Sequence, residues 1–381
     1  MSDGTTSAAA VRRDELVASR TRTRIQQIRR LAGETVLLLV TCASAGTILF
    51  ILGAIFWEAL PFFRQYNPAL LFRNDLWRPT ADPAPSFGAL GIFLGSALVT
   101  IGSCIIALPL GISAAVCLSD VVPFNVRQVA KPVIELLAAI PSVVYGFFAL
   151  VLFAPVLQKQ GGALLGVAWW ILALPVAVVI AVVVSDLAAA RVKGPRQMAV
   201  RLVTGGVLLA AAVTGIYAVG GAIFALKVTT GVNALNASII LALMALPTVV
   251  SVCEDALNAV GRSLREGSYA LGATRAETMV KVVIPAAKGG IVAAIILGVM
   301  RAVGETMVVL MAAGNSYEVP EPWFNFLSGI RTLTATVALE MGETVHGGDH
   351  YHALFALAFC LLLFTFLLNL VSEWLSRRTK I

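Results

Sequence analysis

Apolar runs set the pattern of this chain, and charged residues punctuate them. A membrane-crossing helix needs about 20 predominantly apolar residues. Eight nearly charge-free intervals reach that length: Thr35–Trp57, a span near Gly88–Val116 within the 37-residue run Pro83–Ser119, Leu136–Gln158, Gln160–Ser185, Leu202–Leu226, Val228–Cys253, Gly290–Ala313 and His350–Ser372. The sixth starts late, because Asn233 and Asn236 suit a loop, and a very short loop separates the third from the fourth. The pattern predicts an all-α integral membrane protein of about eight spans. Composition agrees: 59% of residues are hydrophobic, 13% are charged and mean hydropathy is +0.89, against about a quarter charged in a soluble domain.

An even number of spans places both termini on one side. With the N-terminus inside, the inner segments hold 21 of the 28 lysines and arginines and the outer ones six, Arg64, Arg73, Arg78, Lys159, Lys227 and Arg331. Basic residues collect on the cytoplasmic face, so this asymmetry orients the chain with both termini cytoplasmic. It also accounts for the net charge of +7 as a topology signal and a contact with anionic lipid, without nucleic acid. Residues 1–34 read as a basic cytoplasmic tail and 35–57 as an uncleaved anchor, the first apolar run being too long for a removed signal. The five cysteines lie inside apolar runs without metal or redox spacing; they read as packing residues. Gly91 and Gly95 form a small-xxx-small pair suited to close helix approach.

One run carries ionisable groups at its middle. Arg301 and Glu305 are the only charged residues among the 29 between Lys288 and Glu318, and such groups at bilayer depth are unfavourable by roughly 2.5 to 3.5 kcal/mol each on the insertion scale. Four positions apart on one helix, they can meet. The spacing fits a neutral intrahelical pair and a transient anion site equally well. In the second case Arg301 offers a donor fork to oxyanion oxygens, while Glu305 accepts a proton from an oxyanion that retains one near neutral pH, which a fully ionised oxyanion lacks. Ser142 and Tyr145, next to Pro141 and Gly146, could add donors, as could Thr332, Thr334 and Thr336, although span hydroxyls more often bond their own backbone. The stretch HGGDHYH (His346–His352) gathers all three histidines with Asp349, and reads as a polar outer turn rather than a metal site. No cofactor is expected. No Walker glycine–lysine pair, His-Glu-x-x-His or Gly-x-Ser-x-Gly occurs, so no chemistry is expected within this chain.

The inner segment 254–288, EDALNAVGRSLREGSYALGATRAETMVKVVIPAAK, is too organised for a tether. Ser263 can cap a helix with Glu266 as the capping-box partner. Gly272 breaks that helix, Pro285 starts the next element, and Tyr269 and Leu271 stand as exposed apolar groups. A helix, a glycine turn and a second helix would present a ridge to a partner protein or lie on lipid; pattern alone allows either.

Glu266–Pro285 resembles the coupling loop of binding-protein-dependent ABC importers. That pattern is Glu-Ala-Ala, three residues, Gly, nine residues, Ile-x-Leu-Pro. Glu266, Gly272 and Pro285 match it, Val282 and Ile284 fill the aliphatic places, Ala273 follows the glycine, and Gly267 and Ser268 replace the alanines. Further on, ELLAAIPSVVYGFFAL, GIVAAIILGVMRAVGETMVVLMAAGN, TLTATVALEMGE and HYHALFALAFCLLLFTFLLNLV are similar to the PstC-type permeases of phosphate ABC importers. PstA-type permeases share the arginine–glutamate element and diverge after it.

The resemblance implies a six-helix permease core within residues 83–375, with residues 159–232 an inserted helix pair foreign to the family pattern. It implies ATPase coupling through Glu266, Gly272, Ala273 and Pro285, and a phosphate path at Arg301, Glu305, Ser142, Tyr145 and Thr334. The implied partners are a PstA-type second permease, two ATP-binding PstB-type subunits that hydrolyse ATP, and an extracytoplasmic phosphate-binding protein, in the bacterial inner membrane. A permease for phosphonate, sulfate or molybdate is the alternative, and a self-powered secondary transporter the more remote one.

Overall fold

The computed structural model describes residues 20–73, 76–81, 85–190 and 196–379. Most of the basic tail, residues 1–19, and residues 191–195 of the insert lie outside the described residues. Helix α1 (Arg20–Gln65) contains the expected first anchor. Asn67 caps a 3₁₀ turn, Pro68–Phe72, by accepting from the Ala69 N–H at 3.0 Å. A two-stranded antiparallel ribbon, β1 (Trp77–Arg78) and β2 (Ser86–Phe87), pairs Trp77 with Phe87. Then come α2 (Leu90–Val116), ending in a π-type turn at Cys117–Val121, and the surface helix α3 (Phe124–Ala138).

Helix α4 (Ser142–Phe148) continues through a π-type turn, Ala149–Phe153, into α5 (Ala154–Ala190). The expected third and fourth spans are therefore one helical run, 48 residues from Ser142 to Ala189. At 1.5 Å per residue it extends about 72 Å, more than twice the roughly 30 Å of a hydrocarbon core. The short loop expected near Lys159 does not form. Gln158, Lys159 and Gln160 are good helix formers, and the run stays paired with α6 (Arg196–Phe224). Trp169 Nε1 donates to the Ile216 carbonyl at 3.1 Å, Arg201 Nε meets Asp186 Oδ1 at 2.6 Å, and Gln158 Nε2 donates to the Thr229 carbonyl at 3.1 Å. The inserted hairpin thus closes on itself and delivers the chain back to where it left the core. Among the described residues six helices are long and apolar enough to cross a membrane, seven with one bent pair.

Helix α7 (Ala234–Asn258) is the central span and the most covered of them. Small residues on several of its faces, Ala234, Ala237, Ser238, Ala242 and Ala245, let α2 and α11 (Lys288–Val303) approach closely. One core joins α2, α4, α7 and α12 (Met307–Ala312) through Val99, Tyr145, Leu241 and Val309. A second core, around Phe62, Trp77, Phe87 and Leu357, joins α1 and the ribbon to α14 (Asp349–Thr379). The Gly91 and Gly95 pair serves close approach, but not to another helix. A Cβ at either position would collide with the backbone of the 315–331 loop, at Tyr317 and Arg331 respectively.

Candidate transport site and coupling surface

Arg301 lies in the last turn of α11, where the carbonyl end of the helix favours a cation. Gly304 ends the helix, its N–H donating to the Met300 carbonyl at 3.1 Å. The chain then restarts as α12, and Glu305 completes the new helix start. Its Oε1 accepts from the N–H groups of Met307 at 3.2 Å and Val308 at 3.4 Å. A carboxylate before a first turn meets donors the helix leaves unpaired. The uninterrupted helix that would carry Arg301 and Glu305 on one face is therefore absent, and no ion pair joins them. Glycine, a weak helix former, followed by a residue able to cap, separates two groups that spacing alone brings together.

The Arg301 side chain turns to α7 instead. Nη1 donates to Thr248 Oγ1 at 3.1 Å, and Nε is buried without an acceptor. A buried unmet donor is uncommon and is unfavourable by roughly 1–3 kcal/mol. Thr248 was not among the residues the sequence singled out; its one signal is a threonine following a proline inside an apolar span.

The hydroxyl candidates divide. Thr334, on α13 (Leu333–Glu340), donates to the Glu305 carbonyl at 2.8 Å and lies 3.1 Å from the Thr332 hydroxyl. Thr332 caps α13, accepting from the Ala335 N–H at 3.4 Å, and Thr336 donates back to the Thr332 carbonyl. Thr334 and Glu305 are thus brought together. The Tyr145 hydroxyl is committed elsewhere, donating to the Leu137 carbonyl at 2.9 Å, where it ties the end of α3 to α4. Ser142 is half-buried at the start of α4.

His350, His352 and Asp349 of the outer turn each have a polar partner, whereas His346 is exposed and rests against the Tyr351 ring. His350 Nε2 and Trp77 Nε1 both reach Glu340 Oε2 at 2.8 Å, and Arg331 meets Glu340 Oε1 at 2.8 Å. His352 Nδ1 is 2.8 Å from the Glu58 carbonyl, and Tyr66 donates to Asp349 at 2.8 Å. Arg331, read as an outer-loop cation, is 6% exposed and belongs to this clasp.

At the other end of α7, segment 254–288 folds as α8 (Arg262–Ala270), a turn at Gly272, α9 (Arg275–Thr278), a π-type turn at Met279–Val283 and α10 (Ile284–Ala286). It meets α11 at a bend of 72°. The capping box is not at Ser263 and Glu266: α8 starts from Gly261 without a side-chain cap. The box forms at Thr274 and Glu277, where Thr274 Oγ1 accepts from the Glu277 N–H and the Glu277 carboxylate from the Thr274 N–H. Gly272, with φ of 84°, takes a left-handed turn that a side chain would strain. Leu264, Tyr269 and Leu271 stand exposed, Leu271 at 90%, while Glu266 and Pro285 face outward and Ala273 is half-buried. Arg265 anchors the ridge from behind, bonding Asp120 at 2.6 Å and the Leu257 carbonyl at 2.8 Å. Ser268 and Thr278 hydroxyls, 2.9 Å apart, join α8 to α9.

Residues 107–381 match the family described as binding-protein-dependent transport system inner membrane component. The chain is 31% identical over 372 residues to a probable ABC transporter permease protein, YqgH, of Bacillus subtilis, covering 97% of this chain and 96% of that one. It is 30% identical over 324 residues to the phosphate transport system permease protein PstC of Pasteurella multocida, covering 85% and 83% respectively. Among solved structures, a chain of the inward-facing MetNI methionine ABC transporter aligns at 14% identity and a TM-score of 0.41, over 76% of this chain and 95% of that one. A helical chain with this many apolar spans, matched across most of its length, belongs to the family of binding-protein-dependent transport system inner membrane components: it is an inner-membrane permease of an ABC importer, similar to the PstC-type proteins.

Proposed function

We propose that this permease carries inorganic phosphate and that Arg301 is the anion-binding group of its path. The observation that carries the reading is the half-buried Arg301 itself. It is held at one nitrogen by Thr248, has a buried Nε–H without an acceptor, and sits where a span breaks. A tetrahedral oxyanion supplies the acceptors such a fork lacks. The phosphate transport name of several relatives supports the substrate.

Glu305 does not temper Arg301 by direct pairing. Oε1 is occupied by two backbone donors, so Oε2 is the atom suited to accept the proton of a passing phosphate. Thr334, bonded to the Glu305 carbonyl, fixes the restart of the helix. Ser142 and Tyr145 belong to the wall of the path, Tyr145 through its ring.

Both termini are cytoplasmic in this reading, and the insert 159–232 leaves the direction of α7 unchanged because its two helices go out and return together. The ridge carrying Glu266, Gly272, Ala273 and Pro285 docks on an ATPase of the PstB type, two copies of which hydrolyse ATP. A PstA-type permease completes the pore, and an extracytoplasmic phosphate-binding protein delivers the substrate.

The test is labelled-phosphate uptake by cells carrying the whole transporter, wild type against Arg301→Gln at matched membrane abundance. Collapse of uptake with the ATPase still copurifying is the expected result. Unchanged uptake removes Arg301 from the path, and a wild type that moves sulfate or molybdate but no phosphate overturns the substrate.

A further inference from the structure

Thr248 differs from most hydroxyl residues in the spans. Thr100, Thr214, Ser238 and Thr365 each donate to the carbonyl four residues back on their own helix, the usual fate of a hydroxyl at bilayer depth. Thr248 has no such bond among the described residues; its oxygen accepts from Arg301 Nη1 at 3.1 Å. It follows Pro247 in α7, where the missing proline N–H already interrupts the helix ladder. A helix-internal hydroxyl is thus directed across the packed α7–α11 contact to a guanidinium.

We propose that Thr248 is the positioning residue for Arg301. By holding Nη1 it fixes the rotation of the guanidinium and leaves the remaining N–H groups presented to the oxygens of a phosphate. The proposal rests on Arg301 being the anion-binding group. Its physical basis is the low entropy of an anchored fork: an arginine held at one end loses less freedom on meeting its ligand than one that samples several rotamers. Because α7 and α11 each carry one partner, the bond also links the orientation of Arg301 to the relative placement of the two helices.

The experiment compares Thr248→Val, Thr248→Ser and Arg301→Gln in the complete transporter, measuring phosphate uptake against concentration at equal membrane abundance. Valine keeps the shape of threonine and removes the hydroxyl; serine keeps the hydroxyl and loses the methyl. A positioning role predicts that valine lowers maximal uptake roughly tenfold, the scale of one hydrogen bond to a charged group, and that serine largely restores it. The half-saturating concentration stays near the wild-type value, since the external binding protein sets it. A packing role predicts the reverse order, serine impaired and valine normal, and that outcome overturns the proposal. So does equal impairment of both. Wild-type uptake by Thr248→Val with Arg301→Gln inactive refutes the Thr248 assignment alone. Wild-type uptake by Arg301→Gln refutes the reading of Arg301 and this proposal with it.

Discussion

Glu254 is the most informative residue to perturb outside the path. Its carboxylate is 1% exposed at the C-terminal end of α7, as the first residue of segment 254–288. Arg127 Nε reaches Oε1 at 2.8 Å, Lys131 lies 3.3 Å from Oε2, and Asn258 Nδ2 donates to Oε1 at 3.2 Å. Arg127 and Lys131 both come from α3, so this one carboxylate ties that surface helix to the core. At an effective dielectric of 20, a pair about 2.8 Å apart has a gross attraction of about 6 kcal/mol, much of it offset by desolvation.

Removing one partner of a buried pair destabilises by about 3–5 kcal/mol. Here the cations keep 29% and 34% of their side-chain surface, so they rehydrate when released, and about 2–3 kcal/mol is the expected loss for Glu254→Ala. Thermal inactivation of the purified, detergent-solubilised transporter reads it, with protease sensitivity of α3 as the local probe. Replacing Glu254 by Leu and Arg127 by Met together should recover most of the loss, because an apolar pair need not be desolvated. The Lys131 ammonium is held above its ordinary value of 10.5, chiefly by its hydrogen bond to Asp255. Its contribution is therefore complete below that value and fades only as the pH rises through the raised one, so the Lys131 share of the clamp is unchanged from about pH 6 to 9. Wild-type stability in Glu254→Ala refutes the reasoning.

Two further outcomes are expected. Thr274→Ala removes the capping box at the start of α9 and should speed amide exchange across residues 274–283 severalfold, the scale of one lost cap, while Ser263→Ala leaves exchange in α8 unchanged; exchange mass spectrometry distinguishes them, and equal effects contradict the assignment. Glu305→Gln should narrow the preference for phosphate over sulfate in a permease-level assay, since an amide no longer accepts a proton; an unchanged preference eliminates proton reading at this position.

The amino-acid pattern by itself determined the medium and the class of fold. Apolar runs near 20 residues and the scarcity of charge demand a helical membrane protein, and EGSYALGATRAETMVKVVIP carries the resemblance to the importer family's coupling loop before any helix is seen. Contacts between distant residues lay beyond that pattern. Periodicity places Arg301 and Glu305 on one face only if the helix continues, and Gly304 with the free N–H groups of Met307 and Val308 decides that it stops. The partner of Arg301 lies 53 positions away and that of Arg127 127 positions away, separations that no local signal encodes. The loop expected at Lys159 was likewise a matter of neighbours: residues 158–160 tolerate helix or turn, and the antiparallel contact with α6 selected helix. Local propensity proposes breaks and faces in such a chain, and the packing of small residues along α7 decides which of them are used.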